Sequence, residues 1–509
     1  VIEHLQSTGL TAEAARQRVA RSSVSRLGGL KFPKNVRFLY LENHYGTTRF
    51  WEALMRDIHI ASPAYAAAIA CLKARGGTVP LRTFMVACGS PIRQKGQLSA
   101  EAVLERLSAI HLVRQSDVEG IGRCVSLAIG KIFGDESIAW MRAQRTTEQI
   151  LLLAVKDWAR KLGLASYELI ALRDEGDEPP KVGTFYWDLA GPCYLAPMVR
   201  RTPEGKPKPG SLVCDVLVGA EADEQVVAAF VRKTQLTAAL KRLPPRWSIF
   251  LADSFSIEGF RLGRSHGLML ATPATLFGRE VAEGLSKLLQ TLTKAAAMAA
   301  HRPEVIDELM SSLGQIAGAE KNLRGAMFEL LVGHVTAKAD DGWVDIGKSV
   351  YSSEGEAEID VLRIKEGRAV WAYECKAYLP SRRVTLDEVK HWLHDRVPRM
   401  QAALAGQSRF QGCEFYYEYW TTGGFEPDAL ALLDEAAANT RRYKIGWKDG
   451  IAVRSFMSQL QSKEPLRMLD KHFLQEPMAR LDRRYGGDQL VHEVTLEAPA
   501  GDLVEPSQV

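Results

Sequence analysis

Glu374-Cys375-Lys376 puts a carboxylate and an ammonium two residues apart at the end of a β-prone run, Ala369-Val370-Trp371-Ala372-Tyr373. On a strand that spacing sends both charged side chains out of one face, and Cys375 points the other way, toward a core. Fourteen residues before Glu374, Asp360 lies in a second strand-like run, Ala357-Glu358-Ile359-Asp360-Val361-Leu362-Arg363-Ile364. Gly367 between the runs suits a tight hairpin. Adjacent strands then bring two carboxylates and an ammonium together, which repulsion and desolvation oppose. A hard divalent cation removes that penalty, since Mg²⁺ takes one or two carboxylates and fills its shell with water and substrate phosphate. Such an ion activates water and polarises a phosphodiester, with Mn²⁺ as a substitute. Lys376 orients the water or stabilises the pentavalent phosphate. Glu329, in Gly325-Ala326-Met327-Phe328-Glu329-Leu330-Leu331, lies on a helix ahead of the strands. Glu358 shares the face of Asp360 and stands as its assistant or replacement. Lys390 and His394, one helical turn apart, are either phosphate contacts or a solvated face.

These residues resemble the PD-(D/E)XK nuclease superfamily, the restriction-endonuclease-like fold. The family pattern is an acid followed by (D/E)-x-K on the next strand, here Asp360 and Glu374-Cys375-Lys376. Ile359 stands where a Pro often precedes the first acid. The resemblance implies catalytic roles for Glu329, Asp360, Glu374 and Lys376, and metal ligation by Asp360, Glu374 and the backbone carbonyl of Cys375. It covers about 130 residues, with a helix, a hairpin, a strand, a helix opened by a Thr385-x-x-Glu388 capping box, and the strand Glu414 to Trp420 in αβββαβ order. The rival reading is ion pairs on an ordinary sheet.

The elements before it form an α/β multidomain chain. The expected units are 1–58, 59–135, 146–280, a helical connector 281–320, the nuclease-like 321–456, and a partly disordered extension 457–509. The first unit reads as helix, turn, helix, hairpin, with Thr11 as a helix cap and Gly9 in the turn. Its charged residues from Arg16 to Arg37 are all basic: Arg16, Arg18, Arg21, Arg26, Lys31, Lys34 and Arg37. The second unit repeats the plan, with a wing hairpin around Gly120 and Gly122. Both resemble winged-helix domains, which implies grip on nucleic acid; the alternative is a pair of protein-contact modules.

Residues 146–280 read as a degenerate copy of the nuclease layout. Strands are expected at Thr184–Trp187, Leu212–Val218, Val226–Lys233, Trp247–Leu251 and Leu268–Ala271. Cys214-Asp215-Val216-Leu217 parallels the Asp360 run, and Val231-Arg232-Lys233 parallels Glu374-Cys375-Lys376. The stretch from Phe250 to Pro273 resembles the closing elements of type IV restriction enzyme catalytic domains. Val231 in place of the acid makes this copy inactive.

Other chemistries find less support. Gly342-Trp343-Val344-Asp345-Ile346-Gly347-Lys348-Ser349 satisfies the P-loop spacing, but a helix precedes it and no helix follows, so it reads as the first nuclease strand. The chain of 509 residues is 46% hydrophobic and 25% charged, with net charge +4, so any basic surface is local. Seven scattered cysteines form no CxxC pair, which points away from zinc cages and toward a reducing cytoplasm. Neither a signal-peptide pattern nor a membrane-length apolar run is apparent, so no membrane partner is expected. The resulting expectation is a Mg²⁺-dependent DNA endonuclease. By resemblance such architectures serve restriction or anti-phage defence, and a homodimer or an operon-encoded partner supplies a second active site. The alternatives are an RNA or structure-specific nuclease, and a non-catalytic DNA-binding regulator.

Overall fold

Two five-stranded sheets share one strand order and one set of strand directions. The computed structural model describes residues 1–509 except 31, 33–35, 129–134, 167, 202–204, 241–242, 296–303, 315, 317, 340–341, 354, 461–462 and 475–509. Lys31, Lys34 and the expected disordered tail therefore lie outside the described residues.

The N-terminal part holds α1 (Ile2–Ser7), α2 (Ala12–Arg21), a two-residue ladder of β1 (Ser25–Arg26) with β2 (Leu39–Tyr40), and α3 (Thr48–Ala61). Gly9 turns the chain between the first helices at φ +97°, and Thr11 caps α2 by accepting from Ala14 N–H. Then come α4 (Pro63–Ala74), β3 (Thr78–Pro80), α5 (Leu81–Ala87), α6 (Ala100–Ala109), β4 (Val113–Val118) and β5 (Gly122–Leu127). The three strands form an antiparallel sheet in the order β3-β5-β4. The expected boundary near residue 58 does not separate two cores. Phe38, Phe50, Leu54 and Ile58 pack in one cluster with Tyr65, Phe84, Leu104, Leu107 and Val125. A short helical segment cannot bury its own apolar face, so α3 uses the next unit's.

The middle part runs through α7 (Asp135–Lys161), β6 (Ala171–Leu172), β7 (Leu189–Cys193), β8 (Gly210–Ala222), α8 (Glu224–Ala238), β9 (Arg246–Phe255), α9 (Ile257–Ser265) and β10 (Met269–Ala271). Its sheet order is β6-β7-β8-β9-β10, with two antiparallel pairs followed by two parallel ones. Two expectations are corrected. Val226–Lys233 is helix, not strand: Asp223 accepts from Val226 N–H at 2.9 Å, and Val226, Val227, Phe230 and Val231 line one buried face. A β-branched apolar run does not by itself distinguish the two states. Asp215 therefore lies on the third strand of its sheet, not the second, and Val231-Arg232-Lys233 has no strand to parallel Glu374-Cys375-Lys376. The second strand, Leu189–Cys193, escaped notice because it contains Gly191 and Pro192.

Helices α10 (Pro273–Phe277), α11 (Arg279–Thr293) and α12 (Glu304–Leu313) lead to α13 (Glu320–Ala339). The second large sheet follows: β11 (Trp343–Ser352), β12 (Gly355–Lys365), β13 (Ala369–Lys376), β14 (Glu414–Thr421) and β15 (Lys444–Lys448), in that spatial order. The first three strands are antiparallel and the last two join in parallel. Between β13 and β14 lie α14 (Leu386–His391), a π-turn (Trp392–Arg396) and α15 (Val397–Ala405); α16 (Pro427–Asn439) precedes β15. The P-loop-like octet falls largely in β11, as a strand. Helices α17 (Gly450–Ser458) and α18 (Glu464–His472) close the described chain.

The units expected at 146–280, 281–320, 321–456 and 457–509 share one core. Leu151, Leu212, Ile249, Leu285, Leu309, Phe328, Val335, Val361, Tyr373, Met457 and Phe473 belong to a single buried cluster. Helix α7 packs on β8, α13 packs on β11, β12 and β13, and α11 and α12 join the two helices. The sheets thus flank a common helical layer, because each helix buries apolar residues on both sides. Among the described residues no helix is long and apolar enough to cross a membrane.

The shared N-terminal core has a measurable consequence. Leu54→Ala is expected to cost about 2–5 kcal/mol. In hydrogen exchange, amides of α6 and β5 should lose protection together with those of α3. Loss confined to α3 would restore two separate cores.

Candidate active site

The ladder between β12 and β13 runs from Lys365–Ala369 to Val361–Tyr373. One step further, Asp360 faces Glu374, and there a side chain takes over from the backbone. Cys375 N–H donates to Asp360 Oδ2 at 2.7 Å. A buried N–H needs a partner, and this carboxylate supplies it where the strands part. Glu374 and Lys376 leave the face covered by α14 and α15, and Cys375 packs into the opposite core. The two-residue spacing thus gives the shared face expected of it.

Glu374 Oε1 accepts from Lys376 Nζ at 2.5 Å and also from Arg396 Nη1. Arg396 ends the π-turn, donates through Nη2 to Glu358 O at 2.8 Å, and stands 3.8 Å from Asp360 Oδ1. The extra residue of a π-turn rotates the following side chains, a device common at functional sites. The turn's helix begins with the expected capping box, Thr385 with Glu388.

Glu329, half-buried on α13, faces the same group from the other side of the parted strands. Glu358 is held by Arg142 of α7 at 2.9 Å. Arg142 also donates to Gly347 O at 2.6 Å and to Glu119 O in the β4–β5 turn at 3.1 Å. One guanidinium thus ties the middle part, the wing turn and the second large sheet together. A cavity of about 410 Å³ opens beside it, lined by Glu329, Glu358, Arg142, Arg145 and Lys321.

Four carboxylates, Glu329, Glu358, Asp360 and Glu374, face three cations, Arg142, Lys376 and Arg396. The imbalance shows in their proton affinities. Burial, then the Asp360 and Glu358 charges, push the Glu329 carboxyl well above the usual range. Burial pushes Glu358 up to about 7 against the pull of Arg142. Burial and Asp360 raise Glu374, with Lys376 and Arg396 opposing. Burial pulls Lys376 down, but the Glu374 and Asp360 carboxylates outweigh it and raise its affinity.

The structure therefore brings Glu329, Asp360, Glu374 and Lys376 into one site, with Glu358 beside them. Lys390 and His394 are exposed. Arg16, Arg18, Arg21, Arg26 and Arg37 are exposed far upstream, on or near α2 and the β1–β2 ladder. Sequence reasoning missed Arg396, whose inward aim depends on the π-turn, and Arg142, which lies more than two hundred residues from Glu358. Neither carries a local signal.

Among the described residues no three His, Cys, Asp or Glu side chains form a ready-made metal cage. Two carboxylates from neighbouring strands, inside a net-negative cluster, nevertheless match what Mg²⁺ takes from a protein when water and phosphate complete its shell. The donor set fits Asp360 and Glu374 as the holders, once Lys376 and Arg396 yield part of Glu374.

No family model matches the chain, and no curated protein does. Among solved structures, similarity is found to the crystal structure of a protein of unknown function, AF1548, at 13% identity and a TM-score of 0.21; it covers 31% of this chain and 93% of that one. So low a score carries no weight for fold or function.

Glu358 binds its proton more tightly folded than unfolded. Its contribution is present below its ordinary 4.5 and is lost as pH rises through about 7. Arg142, Arg396, Asp360 and Glu119 face it, and the counter-charge is too small to hold it ionised. Glu358→Gln should flatten the fall of the urea midpoint between pH 5 and pH 8. An unchanged slope would contradict the raised affinity.

Proposed function

We propose that this chain is a divalent-metal-dependent nuclease that hydrolyses phosphodiester bonds in DNA. Its C-terminal sheet and helices form a PD-(D/E)XK domain in αβββαβ order with one added helix and strand. The observation that carries the reading is the junction of β12 and β13, where Asp360 and Glu374 oppose each other with Lys376 on Glu374. Strand order supports it: three antiparallel strands are followed by a crossover to a parallel fourth.

Asp360 and Glu374 would hold Mg²⁺, with Mn²⁺ as substitute and the Cys375 carbonyl as a further ligand by resemblance. When bound, the ion supplies Lewis-acid polarisation of the phosphate and an acidified water. Lys376 orients the attacking water and offsets charge on the phosphate oxygens. Burial and the neighbouring Asp360 and Glu358 charges raise the proton affinity of Glu329, which lines the edge of the site. Arg396 and Lys376 neutralise Glu374 at rest, then turn toward the incoming phosphate, whose charge suits them better. The exposed run Arg16, Arg18, Arg21, Arg26 and Arg37, with Lys31 and Lys34, is the proposed grip on the DNA backbone. The second unit is read as a winged helix turned to protein contact. Its wing is bonded to Arg142, and α6 exposes Glu101 and Glu105. Restriction or anti-phage defence remains the setting that the resemblance implies.

Plasmid cleavage by the wild type with Mg²⁺, beside Glu374→Ala, tests the reading. We expect a loss of at least about 100-fold in the variant and abolition by chelator. Equal cleavage by both proteins would refute the site. Linear, single-stranded and RNA substrates in the same assay distinguish a structure-specific or RNA nuclease. Binding should weaken steeply with salt, and Arg18→Ala with Arg21→Ala should lower the salt slope by about 2. Occupation of Glu374 Oε1 by two protein cations favours a second reading, a regulator that binds DNA without cutting it. That reading predicts intact binding and no cleavage by the wild type.

A further inference from the structure

The middle sheet repeats the acid frame of the C-terminal one at positions that the sequence parallel did not identify. The register Cys214–Leu189 puts Asp215 opposite Asp188 at the next step, as Val361–Tyr373 does for Asp360 and Glu374. In both sheets the second-strand carboxylate accepts from the residue after the third-strand acid. Val216 N–H donates to Asp188 Oδ2 at 2.8 Å, and Cys375 N–H to Asp360 Oδ2 at 2.7 Å. In both, the connection after the third strand sends a cation back to that acid: Lys233 of α8 reaches Asp215 Oδ2 at 2.5 Å, and Arg396 reaches Glu374. A glutamate on the preceding helix completes each frame, Glu148 of α7 and Glu329 of α13. Leu217 stands two residues after Asp215, where the other sheet has Lys376.

The frames differ in what neutralises them. Arg173, just after β6, is fully buried. Its Nη1 donates to Asp188 Oδ1 at 2.8 Å and its Nη2 to Glu148 Oε2 at 2.9 Å. Arg75, which ends α4, lies with Nε 3.7 Å from Glu148 Oε1 and donates through Nη2 to Val216 O at 2.6 Å. Asp174 accepts from Arg173 Nε at 3.3 Å and lies 3.7 Å from Arg145, so four acids, Glu148, Asp174, Asp188 and Asp215, face four cations, Arg75, Arg145, Arg173 and Lys233. Charge balances here, unlike the C-terminal site with its surplus carboxylate.

We propose that Arg173 is a built-in cation that closes this second site: its guanidinium ties the second-strand acid Asp188 to the helix acid Glu148 while Lys233 holds the third-strand acid Asp215, and the middle domain takes no metal. A guanidinium stays charged at every accessible pH, so the bridge is permanent. The acids are thereby freed for a structural task. Arg75 enters from the N-terminal part, and Lys233 donates to Val86 O of α5 at 3.0 Å. The closed site is the joint on which that part is seated. The comparison with a metal rests on the nuclease reading above, so the test reads metal binding and stability and never cleavage.

The full chain carrying Asp360→Ala and Glu374→Ala provides a background with the C-terminal site silenced. This background should bind no Mn²⁺ and show no Mn²⁺-dependent shift in Tm. Adding Arg173→Met leaves two buried acids facing each other without their bridge, so Tm should drop. Refolded with Mn²⁺, this variant should bind about one ion per chain, and its Tm should climb with each tenfold rise in Mn²⁺. Adding Glu148→Gln and Asp188→Asn should recover the Tm without Mn²⁺ and abolish the response. Mn²⁺ binding by the background that Asp188→Asn removes would overturn the proposal, because the site would then be open. An Arg173→Met chain that neither folds nor binds in Mn²⁺ would overturn it equally, since a metal would not fit where the guanidinium sits.

Discussion

A carboxylate that completes a backbone ladder is the contact on which the candidate site depends. Asp360 accepts the Cys375 N–H at the point where β12 and β13 separate. That bond ties the acid to the main chain of the next strand and brings it close to Glu374 in a largely buried setting. Proximity and burial both disfavour ionisation, and the raised proton affinities of Glu329, Glu358 and Glu374 record it. Arg396, Lys376 and Arg142 reduce the penalty without cancelling it. A site poised this way gains most from an added cation, which is the physical basis for reading it as a metal centre.

The surroundings follow from the shared helical layer. Helices α7 and α13 each precede a sheet, and both bury residues in a common core. Arg142 projects from α7 into the acid cluster of the other sheet, and its remaining bonds reach the β4–β5 turn. Gly120 in that turn has φ +76°, which favours glycine, and a Cβ added there would push against the Glu358 carboxylate. The wing, the middle part and the site therefore form one packed assembly rather than modules on linkers.

The two sheets show how one frame reaches two electrostatic solutions. With Arg173 inside it, the middle frame is neutral and anchors its neighbour through Arg75 and Lys233. Without such a bridge, the C-terminal frame keeps an excess of carboxylate and an adjoining cavity. Burial alone is common to both, so counter-charge is what separates the two frames.

Local patterns were enough to identify much of this. The strand-like runs of β12 and β13, the Gly367 turn, the Thr385–Glu388 capping box and the spacing of Glu374 and Lys376 are short-range features, and each is present as read. Their physics is contained in a few consecutive residues. Only the tertiary structure decided the rest. Val226–Lys233 became helix because Asp223 caps it and one face is buried against Phe250, while Asp188 gained its role through register with a strand over twenty residues away. Arg142, Arg173 and Arg396 acquired theirs by reaching acids on other elements. A charged residue's function depends on which opposite charge it meets and how much water is excluded there, and chain order encodes neither quantity locally.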